Sequence, residues 1–276
     1  MKKLLHYKTF ELKPEAKWLG IIHGAGGSMA TWKYQIAAFR PYFNLLLLDL
    51  RDHGGSKNIE PAYERYNFDI VCDDILGVID HLGIERAHFL SMSLGSVILQ
   101  KLNERRPQLI DRMIMAGGVF KATWKMKLFV HSAKLLSYFL PYRMMYDLFS
   151  WIVLPRENHR FSRRIFRLQS QKLSPAEYLR WIGIYKDFFR QLRRFFNREL
   201  GKLSLVVMGD QDHVFFQAAQ RFARRHRHAH LVIFEQCGHI CNIEQWERFN
   251  QIALHFLLQS GGEESQGWSL TVPDRP

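Results

Sequence analysis

Ser93 is the residue whose surroundings first indicate chemistry, because small residues, Ser91 and Gly95, stand two positions away on either side of it. A short apolar run leads into this group, and a run with helical character, 97–102, follows it. A sharp turn from a strand into a helix strains its central residue and leaves no room for large side chains two positions away. Such a turn exposes the central hydroxyl at a helix N-terminus, where backbone N–H groups and the helix dipole favour negative charge. The spacing therefore makes Ser93 a candidate nucleophile, although serines and glycines also meet in this pattern by chance.

A glycine-rich stretch, His23–Ser28, follows the apolar run Trp18–Ile22. Glycines allow backbone N–H groups to point into a cavity, because no Cβ blocks the approach. The alternative interpretations are a plain turn and a phosphate-binding loop. No Gly-Lys-Ser/Thr follows the stretch, however, and the G-x-G-x-x-G spacing is absent from it. The sequence therefore disfavours nucleotide binding here.

Cys237, His239 and Cys241 alternate along the chain and raise the question of a metal site. Zinc sites usually combine a C-x₂₋₄-C pair with further ligands elsewhere, and this spacing departs from that pattern. We therefore expect no bound metal and no cofactor. With only 3 cysteines in 276 residues, a disulfide framework is not expected, which predicts a reducing compartment. The first apolar stretch is too short for a signal peptide, so we expect a cytoplasmic protein.

Apolar runs typical of strands alternate with stretches of helical periodicity along most of the chain. The segment 69–82 has apolar residues on one helical face, and His6–Leu12 alternates like an edge strand. This alternation predicts an α/β fold with a mostly parallel sheet and helices on both faces. The predicted buried strands are Trp18–Ile22, Asn44–Asp49, Met113–Ala116, Leu203–Met208 and Leu231–Phe234.

Several of these stretches together resemble the motifs of the α/β-hydrolase family. Ser91–Gly95 is similar to the family's nucleophile elbow, with Ser91 in place of the usual first glycine. His23–Ser28 resembles the family's oxyanion loop. The stretch Asp49–Ser56 resembles its Asp-x-Arg-Gly-His-Gly-x-Ser sequence, except that Asp52 replaces a glycine. Asp tolerates the left-handed conformation better than most residues, so we expect this departure to be mild.

The resemblance implies a catalytic triad of Ser93 as nucleophile, Asp212 as acid and His239 as base. These residues follow the family's chain order Ser…Asp…His. The implied oxyanion donors are the backbone N–H groups of Ala25 and Leu94.

Three further residues compete for these roles. Asp210 lies two positions before Asp212, but the family's Gly-x-x-Asp spacing favours Asp212. His53 and Asp49 also form a tempting pair, yet the resemblance implies a structural role for their loop.

The resemblance also predicts the domain organisation. It covers residues 1–118 and 200–258, which we expect to form the hydrolase core. In 119–199, helix-like segments follow one another without intervening strands, which predicts an inserted helical cap that contributes to substrate binding. The segment 259–276 is polar and contains Gly and Pro, so we predict a disordered tail there.

The predicted cap carries almost all of the net charge of the chain. It contains 17 Lys and Arg against 5 Asp and Glu, a net charge of +12, out of +13 for the whole chain. Aromatic residues are interleaved with these bases. The simplest interpretation is a set of amphipathic helices with solvated basic faces. The alternative is a surface for anionic lipid, with the protein peripheral at a membrane, or for an acidic substrate. No nucleic-acid-binding motif is present, so no nucleic acid partner is expected.

The predicted activity is hydrolysis of a carboxylic ester or thioester through an acyl-enzyme, with a small acyl compound as substrate. A lipid-like or anionic substrate fits the basic cap. The same triad and fold also serve carbon–carbon bond hydrolases and perhydrolases. A ligand-binding receptor that retains the fold is the alternative from a different class. Fold alone does not decide among these functions.

Overall fold

The computed structural model of the chain describes residues 3–136, 139–170 and 172–259. In these ranges seven strands form one sheet, in the order β1-β3-β2-β4-β5-β6-β7. β1 runs antiparallel to β3 at one edge, and the other neighbouring strands are parallel. The strands are β1 (Tyr7–Phe10), β2 (Trp18–Ile22), β3 (Asn44–Leu48), β4 (Ala87–Met92), β5 (Ile110–Ala116), β6 (Ser204–Gly209) and β7 (Ala229–Phe234).

Helices connect the strands and cover both faces of the sheet. The described residues contain eleven α-helices. They are α1 (Lys33–Phe39), α2 (Phe68–His81), α3 (Leu94–Arg105), α4 (Trp124–Leu136), α5 (Tyr142–Val153), α6 (Arg160–Ser170), α7 (Pro175–Ile182), α8 (Tyr185–Asn197), α9 (Phe216–Arg225), α10 (Cys241–Glu244) and α11 (Trp246–Leu258). In these ranges no helix is both long and apolar enough to span a membrane.

Two hydrophobic cores lie on opposite faces of the sheet, and alternate residues of a strand contribute to each. In β3, Leu46 and Leu48 pack into the core with α2 and α3, whereas Leu45 and Leu47 pack into the core with α1 and α11. A strand covered on both faces has no solvent side, so its sequence is apolar throughout. This arrangement confirms the predicted α/β fold with a mostly parallel sheet.

The predicted elements agree with the structure apart from their ends. The strand predicted at Met113–Ala116 begins earlier, at Ile110, and the predicted helix at 69–82 is α2, shifted by one residue. The edge strand expected at His6–Leu12 is the shorter β1. The predicted tail, 259–276, lies outside the described residues except for Gln259.

Helices α4–α8 lie between β5 and β6, and no strand interrupts them in the described ranges. We call residues 119–199 the helical segment. It has a small core of its own, formed by Met145, Tyr146, Leu173 and Tyr178. The net positive charge of this segment is therefore carried by helices inserted between two strands, and not by the strands of the sheet.

A buried ion pair fixes the loop that follows β3. The Arg51 guanidinium donates to both carboxylate oxygens of Asp74 on α2, each at 2.7 Å, and both side chains are buried. Arg51 also donates to the carbonyl oxygens of Ile59 (2.7 Å) and Pro61 (2.9 Å). The pair thus joins α2 to a loop that, as described below, holds the site.

We predict that Asp74→Asn lowers the free energy of unfolding by about 3–5 kcal/mol, because it leaves the Arg51 charge buried without a counterion. Urea unfolding followed by circular dichroism measures this. The matched control is Asp80→Asn, which removes the half-exposed partner of Arg106. Exposed pairs contribute about 0–1 kcal/mol, so the control should change stability little. Equal effects of the two substitutions would contradict the prediction.

Candidate active site

Ser93 sits in a strained turn between β4 and α3. Its backbone has φ 50° and ψ −116°, and a positive φ is uncommon for residues other than glycine. A Cβ on Gly95 would lie 2.8 Å from the carbonyl oxygen of Ile22, so only glycine fits there. The Ser91 side chain is buried in β4 and donates to the carbonyl oxygen of Ile114 at 3.1 Å. The structure therefore has the turn that the spacing predicts.

The structure brings Ser93, His239 and Asp212 together. Nε2 of His239 lies 2.9 Å from the Ser93 hydroxyl, and Nδ1 lies 2.7 Å from a carboxylate oxygen of Asp212. The other Asp212 oxygen accepts from the backbone N–H groups of Val214 (3.3 Å) and Phe215 (3.0 Å). These hydrogen bonds hold the Asp212 carboxylate in one orientation. Since Asp212 is fully buried, water does not compete for them. An Nδ1–H directed at this carboxylate leaves Nε2 free to accept the serine proton.

Asp210 does not contact the imidazole. Its side chain is exposed and accepts from the backbone N–H of Cys237 at 3.3 Å, in the turn that leads to His239. Of the two neighbouring carboxylates, the structure thus places Asp212 at the histidine.

The predicted oxyanion donors also lie at the site. Ala25 lines the same cavity as Ser93, and Leu94 is the first residue of α3. Among the described residues, neither backbone N–H donates to a backbone carbonyl in a turn or loop. A Cβ on Gly24 would lie 3.1 Å from the Cβ of Ser93, so this glycine permits the close approach of the loop. Ala25 thus lies in the wall of the cavity, and Leu94 lies at the start of α3, directly after Ser93.

Two buried histidines hold the loop that carries Ala25. His23 Nε2 accepts from the N–H of Leu50 (2.9 Å), so its Nδ1 is the donor to the Gly24 carbonyl oxygen (2.8 Å). His53 Nε2 accepts from the N–H of Gly26 at 3.1 Å. The two imidazole rings lie 5.0 Å apart. Each ring needs an unprotonated nitrogen to make these bonds, so the arrangement requires both histidines to be neutral.

The pKa values of the two histidines agree with this requirement. Burial lowers the pKa of His23, and burial together with the nearby His23 lowers the pKa of His53 to about 3. Asp49 supports the same loop, since its carboxylate accepts from the N–H groups of Met29 and Gly55, each at 2.8 Å. These contacts give His53 and Asp49 a structural position, as the resemblance implied.

A polar network joins the helical segment to the loops that carry Asp212 and His239. The side-chain oxygen of Gln211 accepts from Asn158 (2.9 Å) and from His159 Nε2 (2.8 Å). Glu244 accepts from the N–H of Gly238 at 2.6 Å. Asn158, His159 and Gln211 were not predicted from the sequence, because their partners are distant in the chain and no motif includes them.

A second contact joins the helical segment to the loop after β3. It involves Asp52, the residue that replaces a glycine of the family pattern. Asp52 has φ 67°, and its carboxylate accepts from Arg180 Nε (3.1 Å) and an outer guanidinium nitrogen (3.0 Å). It also accepts from the Tyr66 hydroxyl at 2.8 Å. The expected left-handed conformation is confirmed, and the side chain has a further consequence. A glycine at this position would lack the carboxylate that Arg180 binds from α7.

An apolar cavity of about 200 Å³ opens onto Ser93 and His239. Residues of α5 and α6 form one side, and the loops of the sheet form the other. Among the described residues that line the cavity, none is Lys or Arg. Its apolar lining includes Met92, Phe149, Val153, Ile165, Phe166, Phe215, Ile240 and Ile243.

The alternating Cys237, His239 and Cys241 do not form a cluster. Both nitrogens of His239 face Ser93 and Asp212, while Cys241 Sγ lies 3.6 Å from the carbonyl oxygen of Val207. Burial raises the pKa of both thiols, which keeps them protonated. Within the described ranges, no group of three or more His, Cys, Asp and Glu is placed to hold a metal ion.

We predict that acid weakens the fold through the neutral histidines. A histidine in the unfolded chain has a pKa of about 6.5, whereas His53 in the fold has a pKa of about 3. The unfolded state therefore binds more protons between these pH values. The free energy of unfolding should be highest above about pH 6.5 and fall on acidification, by up to about 1.4 kcal/mol per pH unit for each such histidine. Denaturant unfolding at several pH values measures this slope.

The variant His53→Asn isolates the contribution of one histidine, because its amide does not titrate. We expect a slope shallower by about 1.4 kcal/mol per pH unit between about pH 4 and 6. His81→Asn, at an exposed position, is the control and should keep the slope of the unaltered protein. A slope that is unchanged in His53→Asn would contradict the neutral-histidine interpretation.

The chain is similar to curated hydrolases over most of its length. The chain is 25% identical over 271 residues to a protein of Stutzerimonas stutzeri named as a carbamate hydrolase (RutD), covering 94% of this chain and 98% of the relative. It is 26% identical over 257 residues to a 2-hydroxymuconate semialdehyde hydrolase of a Pseudomonas species, with 88% and 87% coverage.

A solved structure supports the same fold. The enol-lactonase of Burkholderia xenovorans superposes with a TM-score of 0.76 at 23% identity, covering 92% of this chain and 96% of that protein. The family model described as "Alpha/beta hydrolase family" matches residues 21–252, which is more than half of the chain. The chain therefore belongs to the alpha/beta hydrolase family and is an enzyme of that family.

Proposed function

We propose that this enzyme hydrolyses a carboxylic ester or thioester through Ser93, His239 and Asp212. The observation that carries the proposal is the pair of contacts on the imidazole, 2.9 Å to the serine hydroxyl and 2.7 Å to the buried carboxylate. In this geometry a base touches the nucleophile and an acid orients the base, which is the arrangement that activates a serine for attack on a carbonyl carbon.

In the proposed mechanism, the Ser93 oxygen attacks the carbonyl carbon while its proton passes to Nε2 of His239. Asp212 stabilises the imidazolium that forms. The negative charge on the former carbonyl oxygen is held by the N–H groups of Ala25 and Leu94. Loss of one such donor typically costs about 10²–10³ in rate.

Collapse of this intermediate completes acylation. The carbonyl re-forms, the bond to the alcohol or thiol breaks, and His239 donates its proton to that leaving group. Water then attacks the acyl-enzyme, with His239 again taking a proton and returning it to the serine oxygen. The products are a carboxylic acid and the alcohol or thiol, and the enzyme regains its starting state.

The cavity supports an uncharged, apolar acyl or alkyl group of moderate size. Its volume of about 200 Å³ is below the range of about 300–1,000 Å³ that is typical of drug-sized ligands. Among the described residues that line the cavity, none is Lys or Arg. This argues against an acidic substrate, the alternative that the positive charge of the helical segment suggested. Phe149 and Phe166 come from α5 and α6, so in this proposal the helical segment acts as the cap that selects the substrate.

Carbon–carbon bond hydrolysis is the second candidate, because one of the relatives that matches most of the chain is named as a 2-hydroxymuconate semialdehyde hydrolase. The same serine and oxyanion donors serve that reaction, with a carbanion rather than an alkoxide as the leaving group. We rank carbon–carbon bond hydrolysis second because the apolar lining of the cavity suits the uncharged ester or thioester of the first proposal.

A panel of p-nitrophenyl esters with acyl chains from acetate upward tests the proposal, with a vinylogous diketone as the substrate for carbon–carbon cleavage. We expect ester turnover that rises and then falls with chain length as the cavity fills. Turnover of the diketone alone would favour the second candidate. Turnover of neither would contradict both.

We predict that Ser93→Ala lowers kcat/KM for the best ester by at least about a thousandfold. The matched control is Ser91→Ala, which removes a hydroxyl two positions away whose partner is the Ile114 carbonyl oxygen. Alanine is small enough for the turn, so this variant should keep most of its activity. A requirement for Ser91 without one for Ser93 would show that the proposed nucleophile is wrong.

A further inference from the structure

In the described part of the chain, the helical segment exposes more large apolar side chains than all the other residues together. Of the fifteen large hydrophobic side chains that are exposed in the described ranges, ten belong to this segment. Seven of them lie on α4, on α5 or between these helices, and we call these seven the α4–α5 face. They are Trp124, Leu128, Leu135, Phe139, Met144, Leu148 and Trp151.

Each helix presents its exposed residues on one side. Met144, Leu148 and Trp151 are spaced by four and three positions, which places them on one stripe of α5. The opposite side of α5 carries Met145 and Tyr146, which are buried in the core of the helical segment. Within the stripe, the Trp151 ring also packs against the guanidinium of Arg163 at 3.7 Å, yet about half of this side chain stays exposed, as do Met144 and Leu148. Large exposed apolar patches on soluble proteins mark interaction sites.

Basic residues outnumber acidic ones in the part of the sequence that carries this face. The segment 119–154 contains five Lys and Arg and one acidic residue, Asp147. The Asp147 carboxylate accepts from Arg167 Nε at 2.5 Å, so its charge is offset. Lys127 and Arg143 are exposed beside the apolar residues. Exposed apolar and aromatic side chains among basic ones are the composition of helices that lie in the surface of an anionic bilayer.

We propose that the α4–α5 face docks on the surface of an anionic phospholipid bilayer. The apolar residues enter the region between headgroups and acyl chains, and the surrounding bases contact lipid phosphates. The charge argues against a second copy of the chain as the occupant, because two segments of net charge +12 repel each other. The docking does not depend on catalysis.

If the proposed function also holds, the docking gives α5 two roles. Phe149 and Val153 on this helix line the cavity above Ser93, while Leu148 and Trp151 belong to the exposed face. A helix is about 10–12 Å in diameter, so the bilayer surface and the cavity are separated by about one helix. Apolar esters that partition into the bilayer then reach the cavity without crossing bulk water. This second step rests on the proposed function, whereas the docking stands without it.

Co-sedimentation of the full chain carrying Ser93→Ala with lipid vesicles tests the docking without hydrolysis of the lipid. Vesicles of phosphatidylcholine alone are compared with vesicles that also contain phosphatidylglycerol. At about 50 mM salt we expect binding to the phosphatidylglycerol vesicles only, and at about 500 mM salt we expect it to weaken at least tenfold. No binding, or equal binding to both lipids, would overturn the proposal.

Paired variants locate the contact. Leu128→Ser with Leu148→Ser should weaken vesicle binding at least about tenfold, because two apolar anchors are lost. The matched control, Leu12→Ser with Tyr42→Ser, removes two exposed apolar side chains outside the helical segment and should change binding less than about twofold. Equal losses would place the contact elsewhere and overturn the assignment to this face.

The charge contribution is tested in the same way. Lys127→Glu with Arg143→Glu should weaken binding at least about tenfold. Arg221→Glu with Arg224→Glu changes the net charge equally on α9 and is the control. If both pairs weaken binding equally, the attraction is due to net charge alone and the docking face is wrong.

Folding, oligomeric state and tryptophan depth complete the test. Far-UV circular dichroism establishes that each variant folds, and light scattering reports whether the α4–α5 face pairs two copies in solution, which would overturn the proposal. Tryptophan quenching by brominated lipid should fall when Trp124 and Trp151 are replaced by Phe. Vesicle binding by a protein that hydrolyses no ester would leave the docking intact and overturn only the proposed function.

Discussion

The contact between the Ser93 hydroxyl and the His239 imidazole is the interaction on which the site depends, and the parallel sheet makes it possible. Ser93 follows β4, Asp212 follows β6 and His239 follows β7. The carboxyl ends of parallel strands meet at one edge of a sheet, so residues 146 positions apart in the chain come within 2.9 Å. The strained backbone at Ser93 is maintained by the rigid elements on either side of the turn.

The loop that carries Ala25 depends on a different physical condition, the neutrality of two buried histidines. His23 and His53 each use one ring nitrogen as an acceptor for a backbone N–H, at Leu50 and Gly26 respectively. A proton on that nitrogen would replace an attraction by a repulsion between two donors. Desolvation prevents this by lowering the pKa of both residues. The hydrogen bonds of the loop therefore depend on surroundings that exclude water from both imidazole rings.

Features that depend on short-range sterics could be predicted from the sequence. Small residues around Ser93 indicate a turn, and the continuous leucines of β3 indicate a strand covered on both faces. The ends of elements were less predictable: β5 begins three residues before the predicted position, because Ile110 is recruited by pairing with Ala87 of the neighbouring strand. Local patterns do not contain that information.

Contacts between the helical segment and the sheet could not be predicted. Arg180 binds Asp52, 128 positions away, and His159 binds Gln211, 52 positions away. Neither pair has a periodicity or spacing that marks it, because each partner looks like an ordinary polar surface residue in its own segment. The sequence shows that Asp52 departs from the family pattern. It does not show that the Arg180 guanidinium binds the Asp52 carboxylate.

The positions of the charged residues help to decide between two interpretations that the sequence alone could not distinguish. Positive charge on the helical segment was compatible with an acidic substrate or with an anionic surface. The cavity has no Lys or Arg among its described lining residues, whereas Lys127 and Arg143 are exposed on the outside of the same helical segment. A charge that faces solvent cannot select a substrate within an apolar cavity, since it is screened beyond about 10 Å at 0.1 M salt. Such a charge acts on what approaches from outside. In the two proposals, therefore, the basic residues concern where the enzyme is held, and the apolar lining concerns what it hydrolyses.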